Sequence, residues 1–326
     1  MTALLEVEDL HVWFELPHRG ELHAVQGVSF SLDPGERMGL VGESGCGKTT
    51  SILALMGLLP PNASVQGRVR IDGVDIMAGG EESIRPHRWR EVAMVFQGAM
   101  NALNPVQRVG TQIIEPMELH GFASGDAAVR RTGELLELVG IPAAAADRYP
   151  HEFSGGMRQR AAIAMALACE PKILLADEPT TALDVMVQAQ ILELLKSLSA
   201  ELGLALVLVT HDLPVVAQVC QRAAVMYAGR IAEAGPIDVL FHEPRHPYTR
   251  LLFAATPDLY GDQQVVSIPG APPRLDQEMV GCPFRDRCDV VMDVCATVDP
   301  ALVDVGVDAG PSHLAACHRN DVVSSV

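Results

Sequence analysis

Eight consecutive residues, Gly42-Glu43-Ser44-Gly45-Cys46-Gly47-Lys48-Thr49, lie between a strand-like apolar run at 38–41 and a stretch with helical apolar spacing at 48–58. They fit the P-loop pattern, and strand-turn-helix is the setting that pattern needs. Glycines let the backbone N–H groups turn toward a phosphate group, and the following helix adds the positive end of its dipole. Lys48 is placed to span β- and γ-phosphates, and the Thr49 hydroxyl to reach Mg²⁺. Gly42, Ser44, Gly45, Cys46, Gly47 and Thr50 complete the expected phosphate-binding set.

A second apolar run, 173–176, ends in Asp177-Glu178. Acidic groups at the C-terminal end of a buried parallel strand stand where α/β folds place ligand-binding side chains. Asp177 is therefore expected to hold the metal, and Glu178 to act as the general base that orients water on the γ-phosphate. Further strand-like runs at 4–10, 24–32, 92–96, 204–209 and 223–227 alternate with helical spacing at 129–139, 155–168 and 187–202. That alternation predicts an α/β domain with a largely parallel sheet. Between about 96 and 150 helical pattern replaces strand signal, which predicts a helical insertion at about 98–160. Beyond about 235 prolines punctuate short segments, so the expected division is a domain over 1–235 and an extension over 236–326.

The 326 residues carry 24 Lys and Arg against 41 Asp and Glu, a net charge of −17. Repulsion on that scale argues against a nucleic-acid partner. With 48% hydrophobic and 20% charged residues the chain is not a disordered one. Its apolar runs, such as 204–209, fall far short of the roughly 18 residues that a membrane span needs. Glu6, Glu8 and Asp9 stand where a secretion signal would carry positive charge, so a cytosolic protein is expected.

Phe153-Ser154-Gly155-Gly156-Met157-Arg158-Gln159-Arg160 resembles the signature motif of ABC-transporter ATPases, commonly Leu-Ser-Gly-Gly-Gln, with departures at Phe153 and Met157. The resemblance implies that Ser154, Gly155 and Gly156 face the γ-phosphate held by a partner subunit, so that two chains close over two ATP molecules. It also implies a Q-loop glutamine at Gln97, sensing Mg²⁺ and the γ-phosphate, with Gly98 and Ala99 in place of the acidic-Pro pair common there. Asp184 matches the D-loop and His211 the switch histidine. Phe14 aligns with the aromatic that stacks on adenine, Trp13 being its rival. The implied fold is a P-loop ABC ATPase domain with a helical insertion and a small cysteine-containing C-terminal extension.

Three tail segments, His246-Pro247-Tyr248-Thr249-Arg250, Ile268-Pro269-Gly270-Ala271-Pro272-Pro273 and Cys282-Pro283-Phe284-Arg285-Asp286-Arg287-Cys288, resemble the C-terminal region of ATPase subunits of oligopeptide, dipeptide and nickel permeases. Of the seven cysteines, Cys282, Cys288, Cys295 and Cys317 crowd into this tail, separated by five, six and twenty-one residues. Four thiolates can hold a [4Fe–4S] cluster or a Zn²⁺ ion, or stay buried thiols. Some dipeptide-permease ATPases with such a tail carry an iron–sulfur cluster, and here a cluster is expected to pin the tail with no part in ATP chemistry.

The resulting expectation is an ATP-hydrolysing subunit that energises a peptide-type ABC importer. Its partners would be an identical or different ATPase subunit, two transmembrane permease subunits docked at 97–105 and the insertion, and indirectly an extracytoplasmic substrate-binding protein, at the cytoplasmic face of the membrane. A soluble ABC ATPase uncoupled from transport, or an importer of nickel or another small solute, is the alternative.

Overall fold

The computed structural model describes residues 3–17, 20–98, 102–255, 267–277, 279–306 and 312–319. In chain order the elements begin with strands β1 (Leu5–Leu16), β2 (Gly20–Leu32) and β3 (Arg37–Val41), helix α1 (Lys48–Leu55), strands β4 (Ala63–Ile71) and β5 (Val74–Asp75), helix α2 (Glu81–Ile84) and strand β6 (Val92–Val95). Helices α3 (Val109–Leu119), α4 (Gly125–Leu138) and α5 (Gly155–Ala166) follow, then β7 (Ile173–Asp177), α6 (Val185–Leu202), β8 (Ala205–Thr210) and α7 (Leu213–Val219). The chain continues through β9 (Arg222–Tyr227), β10 (Arg230–Pro236), α8 (Ile237–His242) and α9 (Pro247–Ala254), and reaches the short strands β11 (Val303–Asp304) and β12 (Leu314–Ala315).

The chain divides into two compact units, each assembled from separated stretches. One holds residues 71–208 with 32–37 and the first four residues. Within it β6 and β7 pair in parallel, Val92 opposite Ile173 through Val95 opposite Ala176, and β8 neighbours β7. Every residue of β6, β7 and β8 is buried, the continuous apolar run expected of parallel strands covered on both faces. Among the described residues no strand interrupts the stretch from β6 to β7, as the sequence predicts. There α5 packs against α3, α4, α6 and β6. Helix α6 starts where the Asp184 carboxylate accepts from the Val187 N–H and stops at Gly203, whose left-handed φ of 64° closes the last turn.

The other unit holds residues 5–31, 38–70 and 209–326. In it β1 lies between β2 and β4, while β3 pairs in parallel with β9, Met38 opposite Arg222 through Val41 opposite Val225. Antiparallel neighbours β10, β12 and β11 follow β9 in order. In this unit the sequence pattern misses β4, β10, β11 and β12; the last two are two residues long, too short for any periodicity to register.

Polar groups hold the end of this unit. Glu233 on β10 is fully buried, beside a register shift between Ile231 and Glu233. Its carboxylate accepts from the backbone N–H of Arg245 at 2.7 Å, the N–H of His246 at 2.9 Å and Nε2 of His313 at 2.7 Å. The His313 ring donates this bond in the tautomer that carries its proton on Nε2. His246 caps α9 by accepting from the Tyr248 N–H at Nδ1, 3.0 Å away. Burial pulls the His246 pKa down to about 4 from 6.5, so the ring is neutral in the folded chain.

Two outcomes are expected. Glu233→Ala strands two backbone donors and His313, and should cost about 3 kcal/mol or more, read as a lowered urea midpoint. As pH falls from about 6.5 toward 4, the unfolded chain takes up the His246 proton that the folded chain refuses. Stability from this group should then fall by up to about 1.4 kcal/mol per pH unit, and His246→Asn, which keeps an acceptor for the helix cap, should flatten that part of the profile.

Candidate functional site

The phosphate loop leaves β3 at Gly42, whose φ of 150° and lack of a side chain are both required. A Cβ there would stand 2.2 Å from the Met226 carbonyl oxygen and 2.9 Å from the Cys46 sulfur. The loop enters α1 through Gly47, at φ 105°, where a Cβ would meet the Ala24 carbonyl at 2.6 Å. Between them Ser44 and Gly45 are exposed and Cys46 is buried. The Cys46 carbonyl accepts from the Gly229 N–H at 3.0 Å, and burial pushes its thiol pKa up.

Lys48 is only 6% exposed, and its ammonium donates to the carbonyls of Gly42 at 2.8 Å and Glu43 at 2.9 Å. The loop has wrapped its backbone around this cation. Thr49 and Thr50 sit half-buried on the first turn of α1. In the same unit His211 is exposed just beyond β8. Phe14 is half-buried on β1, while the indole of its rival Trp13 is stacked against His23, with centroids 4.5 Å apart and planes at 15°.

The other unit carries the acidic pair. Asp177 closes β7 at 2% exposure, and Glu178 follows with φ 42°, a left-handed conformation that a non-glycine residue rarely takes. Oε2 of Glu178 accepts from Nε2 of Gln97 at 2.9 Å and from the hydroxyl of Thr181 at 2.9 Å. The structure thus brings together Gln97 and Glu178, both expected at the site, and adds Thr181, which was not among the expected residues. Gln97 is exposed; Ala99, Met100 and Asn101, at the centre of the expected docking segment, lie outside the described residues.

Ser154 is exposed and caps α5, its hydroxyl accepting from the Met157 N–H at 3.3 Å. Gly155 and Gly156 open the helix, and a Cβ on Gly156 would come within 2.7 Å of Val187. The N-terminal turns of α5 and α6 therefore touch, which brings the signature serine's helix next to the one capped by Asp184. Beside that cap Val185 and Met186 are 79% and 72% exposed, a large apolar surface for the start of a helix.

Cys282, Cys288, Cys295 and Cys317 line one small cavity. Burial lifts the Cys282 pKa to about 11 and raises those of Cys288 and Cys317, with the neighbouring thiols acting in the same direction. Soft sulfur donors around one point suit iron–sulfur or zinc chemistry. Among the described residues, however, no group of three or more His, Cys, Asp or Glu side chains is arranged to hold a metal ion.

The tail also reaches the phosphate loop. The Tyr248 hydroxyl accepts from the Glu43 N–H at 2.9 Å, and Arg287 donates to both Glu43 carboxylate oxygens, at 2.6 and 2.9 Å. Glu43, Tyr248 and Arg287 are not among the expected site residues. An acid among the variable P-loop positions and an arginine beside a tail cysteine were the available signal, but 244 residues separate them.

Residues 25–181 match the ABC transporter family model, and residues 232–295 match the model of the oligopeptide/dipeptide transporter C-terminal region. The oligopeptide transport ATP-binding protein OppD of Bacillus subtilis is 46% identical over 311 residues, covering 94% of this chain and 87% of that protein. This chain belongs to the family of ATP-binding subunits of oligopeptide/dipeptide ABC transporters. The dipeptide transport ATP-binding protein DppD of Bacillus subtilis is 47% identical over 306 residues, covering 92% of this chain and 91% of its own. Among solved structures, a dimeric ATP-binding cassette in a post-hydrolysis state with ADP and Pi superposes with a TM-score of 0.63 at 29% identity, over 72% of this chain and 98% of that one. The ABC ATPase fold expected from the sequence is the fold found.

Because the Met226 carbonyl fills the space beside residue 42, Gly42→Ala should push the loop off β9 and weaken ATP binding by at least about tenfold, with little change in far-ultraviolet circular dichroism. Equilibrium titration with a fluorescent ATP analogue checks it.

Proposed function

We infer that this chain is the ATPase that energises a peptide-type ABC importer. The observation that carries the reading is similarity to oligopeptide and dipeptide transport ATP-binding proteins along nearly the whole chain, with the C-terminal region included.

In the reaction proposed here, Lys48 and the N–H groups of 42–50 bind the β- and γ-phosphates, and Phe14 stacks on adenine. The carboxylate of Glu178 accepts a hydrogen bond from water and then its proton as the water oxygen attacks the γ-phosphorus. The bond to the β–γ bridging oxygen breaks, and its electron pair leaves with ADP. Oε2 of Glu178 is already fixed by Gln97 and Thr181, so orienting the base costs little at the moment of reaction. Thr49, Asp177 and Gln97 offer the hard oxygen donors that suit Mg²⁺, which when bound neutralises charge on the phosphate oxygens. His211 would hydrogen-bond the γ-phosphate.

Ser154, Gly155, Gly156 and Asp184 are assigned to the partner's nucleotide, in keeping with the exposure of Ser154 and Asp184 and the apolar Val185 and Met186 beside them. The partners proposed are a second ATPase subunit, two membrane-spanning permease subunits docked through 97–105, and indirectly an extracytoplasmic binding protein. The chain would act at the cytoplasmic face of the membrane; among the described residues no helix is long and apolar enough to cross it. For Cys282, Cys288, Cys295 and Cys317 a [4Fe–4S] cluster is the reading preferred over zinc, supported by four thiols lining one cavity.

Glu178→Gln keeps the side chain's shape and loses its basicity, so hydrolysis should drop about 10²- to 10⁴-fold while ATP binding persists. Lys48→Ala should instead lose ATP binding. Phosphate release and ATP retention measured on both variants test the assignment, and near-normal turnover by the Gln variant would remove Glu178 from its role.

A further inference from the structure

Glu43 occupies a variable position of the phosphate loop, yet three of its groups are committed. Its carbonyl accepts from the Lys48 ammonium at 2.9 Å, its N–H donates to the Tyr248 hydroxyl at 2.9 Å, and its carboxylate takes both arms of the Arg287 guanidinium. Tyr248 is fully buried, and the Arg287 side chain is 4% exposed.

Arg287 is itself built in. Its Nε donates to the Pro269 carbonyl at 2.8 Å and Nη1 to the Tyr227 hydroxyl at 3.3 Å, while its guanidinium carbon lies 5.7 Å from the Tyr227 ring centre and 5.8 Å from that of Phe284. Tyr227, Tyr248 and Phe284 form one aromatic cluster, with centroid separations of 4.6, 5.2 and 5.4 Å. A planar, bidentate arginine held on four sides cannot swing away, so it fixes the carboxylate it grips.

The backbone carrying Arg287 is a tight turn over Arg285–Arg287, between Cys282 and Cys288. The Cys282 carbonyl accepts from the Arg285 N–H, and the Cys282 N–H donates to the Cys295 carbonyl at 2.9 Å. The turn that aims Arg287 is thus tied at both ends to cysteines of the four-thiol cavity.

We propose that Arg287 and Tyr248 are positioning residues of the nucleotide site, clamping Glu43 so that its carbonyl sets the place of the Lys48 ammonium. This rests on the reading of the loop at 42–49 as the ATP phosphate site. It replaces the expectation that the cysteine-bearing tail takes no part in ATP chemistry: the tail acts on ATP through the path Arg287, Glu43, Lys48. Each member acts on the next, so the effects of breaking two links should not multiply.

The test uses the full-length chain with Mg-ATP. Arg287→Met, Glu43→Gln, their double variant, Tyr248→Phe and Lys48→Ala are compared for ATP Kd and for kcat and KM, alongside the thermal midpoint. Arg287→Met and Glu43→Gln should each weaken ATP binding by about tenfold, and the double variant by no more than the worse single one. Arg287→Lys, which keeps the charge and loses the fork, should not restore wild-type affinity. Should Arg287→Met fail to fold, Tyr248→Phe removes one oxygen and should still raise the ATP Kd about threefold or more.

Wild-type ATP affinity in Arg287→Met or Tyr248→Phe, or losses that multiply in the double variant, would overturn the clamp. If Lys48→Ala loses ATP while those variants keep it, the clamp fails and the nucleotide site stands. If Lys48→Ala itself binds ATP normally, the reading of the loop falls and the clamp falls with it.

Discussion

The carbonyl of Met226 lies where a side chain on residue 42 would have to go, so the end of β3 can continue only as bare backbone. That close approach starts a loop that must turn through left-handed conformations, and only glycines take those without strain. The carbonyls of residues 42 and 43 converge on the Lys48 ammonium, the Cys46 sulfur stands 3.7 Å from it, and the long side chain of Glu43 points out of the loop toward the tail. Backbone crowding between two parallel neighbours therefore governs where the charges of this unit fall.

The same unit shows how a segment with little apolar periodicity is secured. Glu233, Arg287 and His246 are all buried, and each finds partners matched to its chemistry: acceptor oxygens against N–H groups, a guanidinium against a carboxylate and a carbonyl, a neutral ring as a helix cap. Buried polar groups are costly alone and rigid when fully satisfied, so such a network fixes one arrangement more sharply than a greasy contact of equal size. The aromatic cluster of Tyr227, Tyr248 and Phe284 supplies the apolar filling around it.

Much of this was legible in the sequence because local chemistry suffices to specify it. The strand-turn-helix around Lys48, the acidic end of β7, the serine cap of α5 and the strand-free helical stretch after β6 each follow from short-range patterns, and each stands where those patterns put it. Most of what escaped depends on contacts distant in sequence. Arg287 finds its partner only where the fold brings it to Glu43, 244 residues away, whereas Thr181 stands three residues from Glu178 and meets it through a local turn that no pattern marks. Strands β11 and β12 have no pattern of their own, since pairing, β12 with β10 and β11 with β12, is what makes them strands. The four late cysteines were expected to converge and do line one cavity, but spacing alone carries no ligation geometry.

Glu178 holds a backbone angle that glycine adopts without penalty and glutamate does not. A procedure that redesigned this chain for heat tolerance alone would be drawn to glycine at 178, relieving strain worth about 1–3 kcal/mol and deleting the acid that Gln97 and Thr181 were placed to steady. At this position relief of backbone strain and the base role proposed for Glu178 pull the same residue in opposite directions.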